Sequence, residues 1–213
     1  MGQTILELAK IDPKIEIVAE FDLGDPIESA FKDCDVAIDF SQAGAVAEIC
    51  RVALQHGKPL VIGTTGHSPE QRQLIENTAQ SLPVVFASNF SVGVNVLFAL
   101  SRRAAEILGP EFTPEIVETH HKMKKDAPSG TAKTLAEVLK QVVQLDGEIP
   151  IQSLREGDVV GEHTVIFSGP NEQLELTHRA GSREIFARGA LRAAQWIVGK
   201  PARLYSMQDV LGL

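Results

Sequence analysis

Short apolar, β-branched runs alternate with amphipathic stretches over residues 1–90, the arrangement of βαβ units that build a parallel sheet. Four runs predict strands: residues 15–21 (IEIVAEF), 36–40 (VAIDF), 59–62 (PLVI) and 83–87 (PVVFA). Between them, residues 43–56 and 68–80 place apolar side chains at helical spacing. Ser68 is positioned to cap the second helix with Pro69 at its first position, and Gly57 follows His56 where the first should stop.

From residue 92 the pattern changes. Residues 92–108 read as one long helix, and the strands that follow, 115–119, 151–154, 163–167 and 174–179, lack regular helical spacers. A single helix over 129–145 interrupts them, which is the mark of an α+β region. Residues 189–198 and 206–211 return to helix and are expected to close on the first region. The fold class is therefore α/β: a Rossmann-like parallel sheet formed by residues 1–91 and 185–213, with an α+β domain inserted at 92–184. No internal repeat or low-complexity segment occurs.

A chain of 213 residues can bury one large core or two modest ones. The net charge of -8 argues against nucleic acid as a partner, because that binding relies on clustered Lys and Arg. No apolar run reaches the roughly 18 residues of a membrane helix, and the N-terminus does not read as a signal peptide, so a soluble, cytoplasmic protein is expected. Cys34 and Cys50 lie in apolar surroundings without metal-ligand or C-x-x-C spacing, so no metal site is expected and a reducing compartment fits.

The chemistry gathers in residues 115–132, EIVETHHKMKKDAPSGTA, where a strand runs through a basic loop to a helix start. The turn Ser129-Gly130-Thr131 offers backbone N–H groups at the positive end of the helix dipole, an anion site. His120, His121 and Lys124 add proton-carrying groups and positive charge beside it, so a carboxylate is the natural ligand. Alone, a His-His pair with Lys122, Lys124 and Lys125 would read as a solvated loop, and Ser129 as an ordinary cap. Their combination in an acidic chain favours function.

The pattern E-I-V-E-x-H-x-x-x-K-x-D-x-P-S-G-T-A resembles the signature of the 4-hydroxy-tetrahydrodipicolinate (dihydrodipicolinate) reductase family. Residues 36–41 (VAIDFS), 61–66 (VIGTTG), 87–95 (ASNFSVGVN), 161–164 (GEHT) and 207–211 (MQDVL) resemble it too, so the similarity runs the length of the chain. The resemblance implies NAD(P)H-dependent reduction of 4-hydroxy-tetrahydrodipicolinate, a small dicarboxylate, on the diaminopimelate route to lysine. It also implies a homotetramer assembled through the second region. By the same resemblance His120 is the proton donor and acceptor, Lys124 a second proton donor, and His121, Gly130 and Thr131 are substrate contacts.

On the cofactor side, Gly63, Thr64 and Thr65 follow one strand, and Ala87, Ser88, Asn89 and Phe90 follow another. Both loops lie at carboxyl ends of the expected sheet, where open α/β folds bind ligands, and the resemblance sets them beside the nicotinamide and its ribose. Asp22, closing the strand at 15–21, is the candidate for the adenosine ribose 2'-hydroxyl; Leu23 rather than an arginine follows it, which favours NADH over NADPH. No G-x-G-x-x-G occurs, and Met1-Gly2-Gln3-Thr4 resembles the family's sequence entered at the tail of its glycine-rich turn. Met1 would then be what remains of that turn against the cofactor, and the first strand would be missing. The alternative reading is accordingly a truncated homologue that keeps small-anion binding or assembly without turnover. A different dehydrogenase, of the aspartate-semialdehyde or homoserine type, is disfavoured because neither cysteine sits in a nucleophile-like loop.

Overall fold

The computed structural model describes every residue except Leu23 and 144–146, and the chain divides into two compact units, Met1–Ser91 with Glu184–Gly212, and Val92–Arg183 with Leu213. Along the chain the helices are α1 (Gly2–Ala9), α2 (Ile27–Lys32), α3 (Val46–His56), α4 (Pro69–Thr78), α5 (Val92–Leu108), α6 (Gly130–Lys140), α7 (Glu184–Ile197) and α8 (Met207–Leu211). The strands are β1 (Ala37–Asp39), β2 (Leu60–Ile62), β3 (Pro83–Phe86), β4 (Thr113–His120), β5 (Ile151–Arg155), β6 (Glu162–Ser168), β7 (Gln173–Arg179) and β8 (Arg203–Tyr205).

In the first unit the strands form a parallel sheet in the order β1-β2-β3-β8. Successive side chains serve opposite faces. Leu60, Ile62 and Val84 join Phe31, Ile49, Val52 and Ile75 from α2, α3 and α4. Val61 and Val85 join Ile5, Leu8, Ala190, Ala194 and Val210 from α1, α7 and α8. Burial on both sides explains why β2 and β3 read as unbroken apolar runs. Ser68 and Gln71 form a capping box at the start of α4, and Gly57 ends α3 at φ 64, as its lack of a Cβ allows.

Three expectations are corrected. Residues 15–21 are not a strand: Ile15 and Ile17 contact one core and Phe21 the other, but the segment has no strand partner among the described residues. Its alternation reports side-chain burial, and a strand needs a backbone partner as well. The helix expected over 129–145 ends at Lys140, with Gln141 as its C-cap, and residues 144 and 145 of that expectation lie outside the described residues. Helix α7 begins at Glu184, earlier than residue 189, because Ala187 continues the buried face that Ala190 and Ala194 carry.

In the second unit the sheet order is β5-β4-β6-β7. Strands β4 and β5 are parallel, joined across α6, and the other pairs are antiparallel. Helices α5 and α6 cover one face, with Leu97, Phe98, Leu135 and Leu139 against Ile116, Val165 and Phe167.

Candidate active site

Strand period places the site. Pro114, Ile116, Glu118 and His120 alternate onto the buried face of β4, as His163, Val165 and Phe167 do on β6. The register sets Ile116 opposite Val165 and Glu118 opposite His163, so an apolar core gives way to a polar cluster toward the carboxyl end of β4. Parallel pairing brings Arg155 of β5 level with His120.

Glu118 is the hub. Its Oε2 accepts from Arg155 Nη1 at 3.1 Å and pairs with Nδ1 of His120, while Oε1 accepts from Arg155 Nη2 at 3.0 Å and from the Ser129 amide at 3.2 Å. A buried carboxylate left unpaired would cost several kcal/mol, and here each oxygen has partners. Burial pushes the Glu118 carboxyl up, but the Arg155 guanidinium, Ser153 and His120 outweigh it and hold the group below its usual range. Arg155 Nη2 also donates to the Asp126 carbonyl at 2.6 Å, tying β5 to the loop after β4.

Burial lowers the His120 imidazole; the pull of Glu118 opposes this, and Lys124 and Arg155 reinforce it. His163, whose ring meets His120 edge-on at 5.1 Å, is pushed down to about 4, chiefly by burial and then by His120. Its Nε2 lies 3.0 Å from Ser129 Oγ, and its Nδ1 is buried without a partner among the described residues. His163 is therefore neutral at pH 7, and the His120 ring is held below its ordinary imidazole range. A histidine held below its unfolded value binds fewer protons in the folded than in the unfolded state, so stability is retained above pH 6.5 and falls as pH drops toward 4. His163 alone is expected to contribute a loss of about 3 kcal/mol across that window, and denaturant titrations that are flat over it would contradict the assignment.

The loop after β4 is clamped to the segment after β5, with Glu156 N donating to His120 O at 2.8 Å, His121 N to Val159 O at 2.7 Å and Lys122 N to Gly157 O at 3.2 Å. Lys124 pairs with Asp126 at 2.9 Å and holds that carboxyl low, and the Ala127–Pro128 peptide bond is cis. Ser129 Oγ accepts from Ala132 N at 3.2 Å, capping α6, and Gly130 borders open space. His120, His121, Lys124, Gly130 and Thr131 thus fall on one strand end, its loop and the following helix start. The donor atoms of Glu118, His120 and His163 come within 4.8 Å of one another, but Arg155 already neutralises the carboxylate, and Lys124 adds further positive charge; the cluster reads as a proton network.

In the first unit, the loops after β1, β2 and β3 leave the same edge of the parallel sheet. Gly63 N donates to Asp39 O at 2.8 Å, and a Cβ at Gly63 would lie 2.2 Å from the Phe40 ring. Phe40 meets Phe90 at 5.4 Å, and Phe90 is buried, so the side chain of this expected cofactor contact belongs to the core and only its backbone faces the loop. Thr64 is buried with Oγ1 unpartnered among the described residues, Thr65 and Ser88 are exposed, and Ala87 and Asn89 are half-buried. Asp22 sits in an exposed turn, its N–H donating to Asp25 at 2.7 Å. Met1 precedes α1 and contacts the core beneath it; the reading of Leu23 lies outside the described residues.

Residues 1–90 match the family described as dihydrodipicolinate reductase, N-terminus, and residues 93–211 match its C-terminus. The chain belongs to the dihydrodipicolinate reductase family. A 4-hydroxy-tetrahydrodipicolinate reductase of Akkermansia muciniphila is 48% identical, the match covering 100% of this chain and 94% of that protein. Another from Anaeromyxobacter is 51% identical over 89% of this chain and 77% of its own. The dipicolinate-bound dihydrodipicolinate reductase of a Paenisporosarcina species has the same fold, with a TM-score of 0.80 at 25% identity, covering 98% of this chain and 94% of the other. Sequence reasoning missed Arg155 altogether and gave Glu118, inside the motif, and His163, outside it, no role. Their spacing along the chain carries no signal; only strand register unites them.

Proposed function

We propose that this chain catalyses NAD(P)H-dependent reduction of 4-hydroxy-tetrahydrodipicolinate to tetrahydrodipicolinate. The observation that carries the reading is the His120, Lys124 and Ser129-Gly130-Thr131 arrangement, in a chain matched by both halves of the reductase family. The Gly130 and Thr131 amides at the start of α6 hold a substrate carboxylate, with His121 beside them. His120 and Lys124 manage the proton that accompanies reduction, Lys124 as an ammonium steadied by Asp126.

The bound nicotinamide supplies hydride. Residues 63–65 and 87–90 fit such a group, since the buried Thr64 hydroxyl lacks a partner among the described residues and Gly63 keeps the loop close to Phe40. Met1 and Asp22 complete the cofactor set. NADH is the preferred donor, supported by the uncharged Leu23 after Asp22. The reading includes a cytoplasmic enzyme, in keeping with the free, buried Cys34 and Cys50 and with no described helix long and apolar enough to cross a membrane. It also includes a homotetramer built on the second unit's sheet.

Nicotinamide absorbance, followed with the freshly generated dicarboxylate, tests the activity. The chain consumes NADH only when substrate is present, and Lys124→Met lowers kcat about 10²-fold. Substrate binding without NADH consumption would favour the small-anion alternative instead, and a sedimentation profile of monomer alone would remove the tetramer.

A further inference from the structure

We infer that Glu118 and Arg155 act together as positioning residues for His120, fixing its proton on Nδ1 and presenting Nε2 toward the reaction. The inference deepens the proposed reductase reading and rests on His120 being its proton-handling group. The geometry supporting it is independent of any ligand.

An ionised carboxylate can only accept, so the Glu118 contact requires a proton on Nδ1 of His120. The other face of the imidazole has been kept clear: at Gly161 an added Cβ would lie 3.1 Å from His120 Nε2 and 3.4 Å from Cδ2. Glu118 itself cannot swing away, because the Arg155 guanidinium grips both oxygens and the Ser129 amide holds one of them. The bidentate grip has a second effect. A carboxylate facing a histidine alone would favour the imidazolium, whereas a carboxylate shared with a guanidinium exerts far less pull. Arg155 thus lets Glu118 orient the ring without charging it.

Among the described residues, the ionisable groups facing His120 are Glu118 on its own strand, Arg155 from β5, His163 from β6, and Lys124 from the following loop, itself paired with Asp126; the N-cap of α6 is the uncharged Ser129. Two substitutions at this pair should consequently move the same ring in opposite directions. Arg155→Met leaves the carboxylate unshared and raises the His120 pKa by about one unit or more. Glu118→Gln removes the negative charge and lowers it. Because Arg155 claims the amide oxygen, the glutamine NH₂ turns toward His120 and forces the proton to Nε2. That variant should lose about 10²-fold in kcat with KM changed less than about threefold, since orientation of a proton-transfer group is lost and carboxylate binding is not.

The test is ¹⁵N NMR of histidine-labelled protein, with the His120 signals assigned by their loss in His120→Asn. The expected wild-type spectrum at neutral pH shows protonated Nδ1 and bare Nε2, with opposite pKa displacements in the two variants and a tautomer change in Glu118→Gln. Wild-type His120 carrying its proton on Nε2, or titrating identically in folded Glu118→Gln and Arg155→Met, would overturn the inference. If Arg155→Met fails to fold, the wild-type tautomer and the Glu118→Gln spectrum decide. These readouts need no turnover, so an inactive wild type with the expected spectrum would count against the proposed reaction while the pairing stood.

Discussion

His120→Asn is expected to lower kcat by about 10²- to 10⁴-fold while shifting the unfolding temperature by no more than about 3 °C. Asparagine is chosen because its side-chain NH₂ falls near the position of Nδ1 and can still donate to Glu118, so the buried carboxylate keeps its full set of partners. What is lost is Nε2, the atom facing Gly161. Alanine would confound the two effects, because it would also leave Glu118 short of a donor inside the protein. Steady-state kinetics beside a thermal melt separates chemistry from folding. A variant with near wild-type kcat would show that His120 handles no proton in the rate-determining chemistry.

Gly189→Ala is expected to destabilise the first unit by about 3 kcal/mol or more, with a fall of roughly 10 °C in its melting temperature. Helix α7 meets the loop after β3 at this glycine, where an added Cβ would lie 1.7 Å from the Phe90 carbonyl oxygen and 2.7 Å from its carbon. Both obstacles are backbone, so no rotamer change relieves them; either α7 moves off the sheet or residues 87–90, the loop proposed to meet the cofactor, move. Phe90 cannot yield easily, since its ring is buried against Phe40 and Phe40 is seated on Gly63. The same substitution should therefore raise KM for NADH in whatever fraction remains folded. A melting curve that overlays wild type would show that this helix contact has slack the geometry denies.

How much of this was legible in the chain depends on whether the signal was local. Helices α3, α4 and α5 were visible because their apolar spacing, the Ser68-Pro69 start and the Gly57 stop are all written within one segment. The strands that became β2 and β3 were visible because burial on both faces leaves no polar position within them, and β1 because an apolar run leads into its one polar residue, Asp39. Residues 15–21 carried the right alternation but found no strand beside them among the described residues, and β8, three residues long, became a strand only by pairing with β3. At the site, the residues of the loop and helix start were legible because they sit within a few positions of one another. The second half of the network was not, since Arg155 and His163 join Glu118 only through the register of three strands.

The most direct test of the reductase assignment is the fate of the cofactor's hydrogen. The chain is incubated with substrate and NADH carrying two deuterons at nicotinamide C4, and the product is analysed by mass spectrometry. The account predicts tetrahydrodipicolinate containing one cofactor-derived deuteron per NADH oxidised, formed in wild type and nearly abolished in His120→Asn. Folded wild-type protein that leaves the NADH unoxidised, or a product without the label, would contradict it.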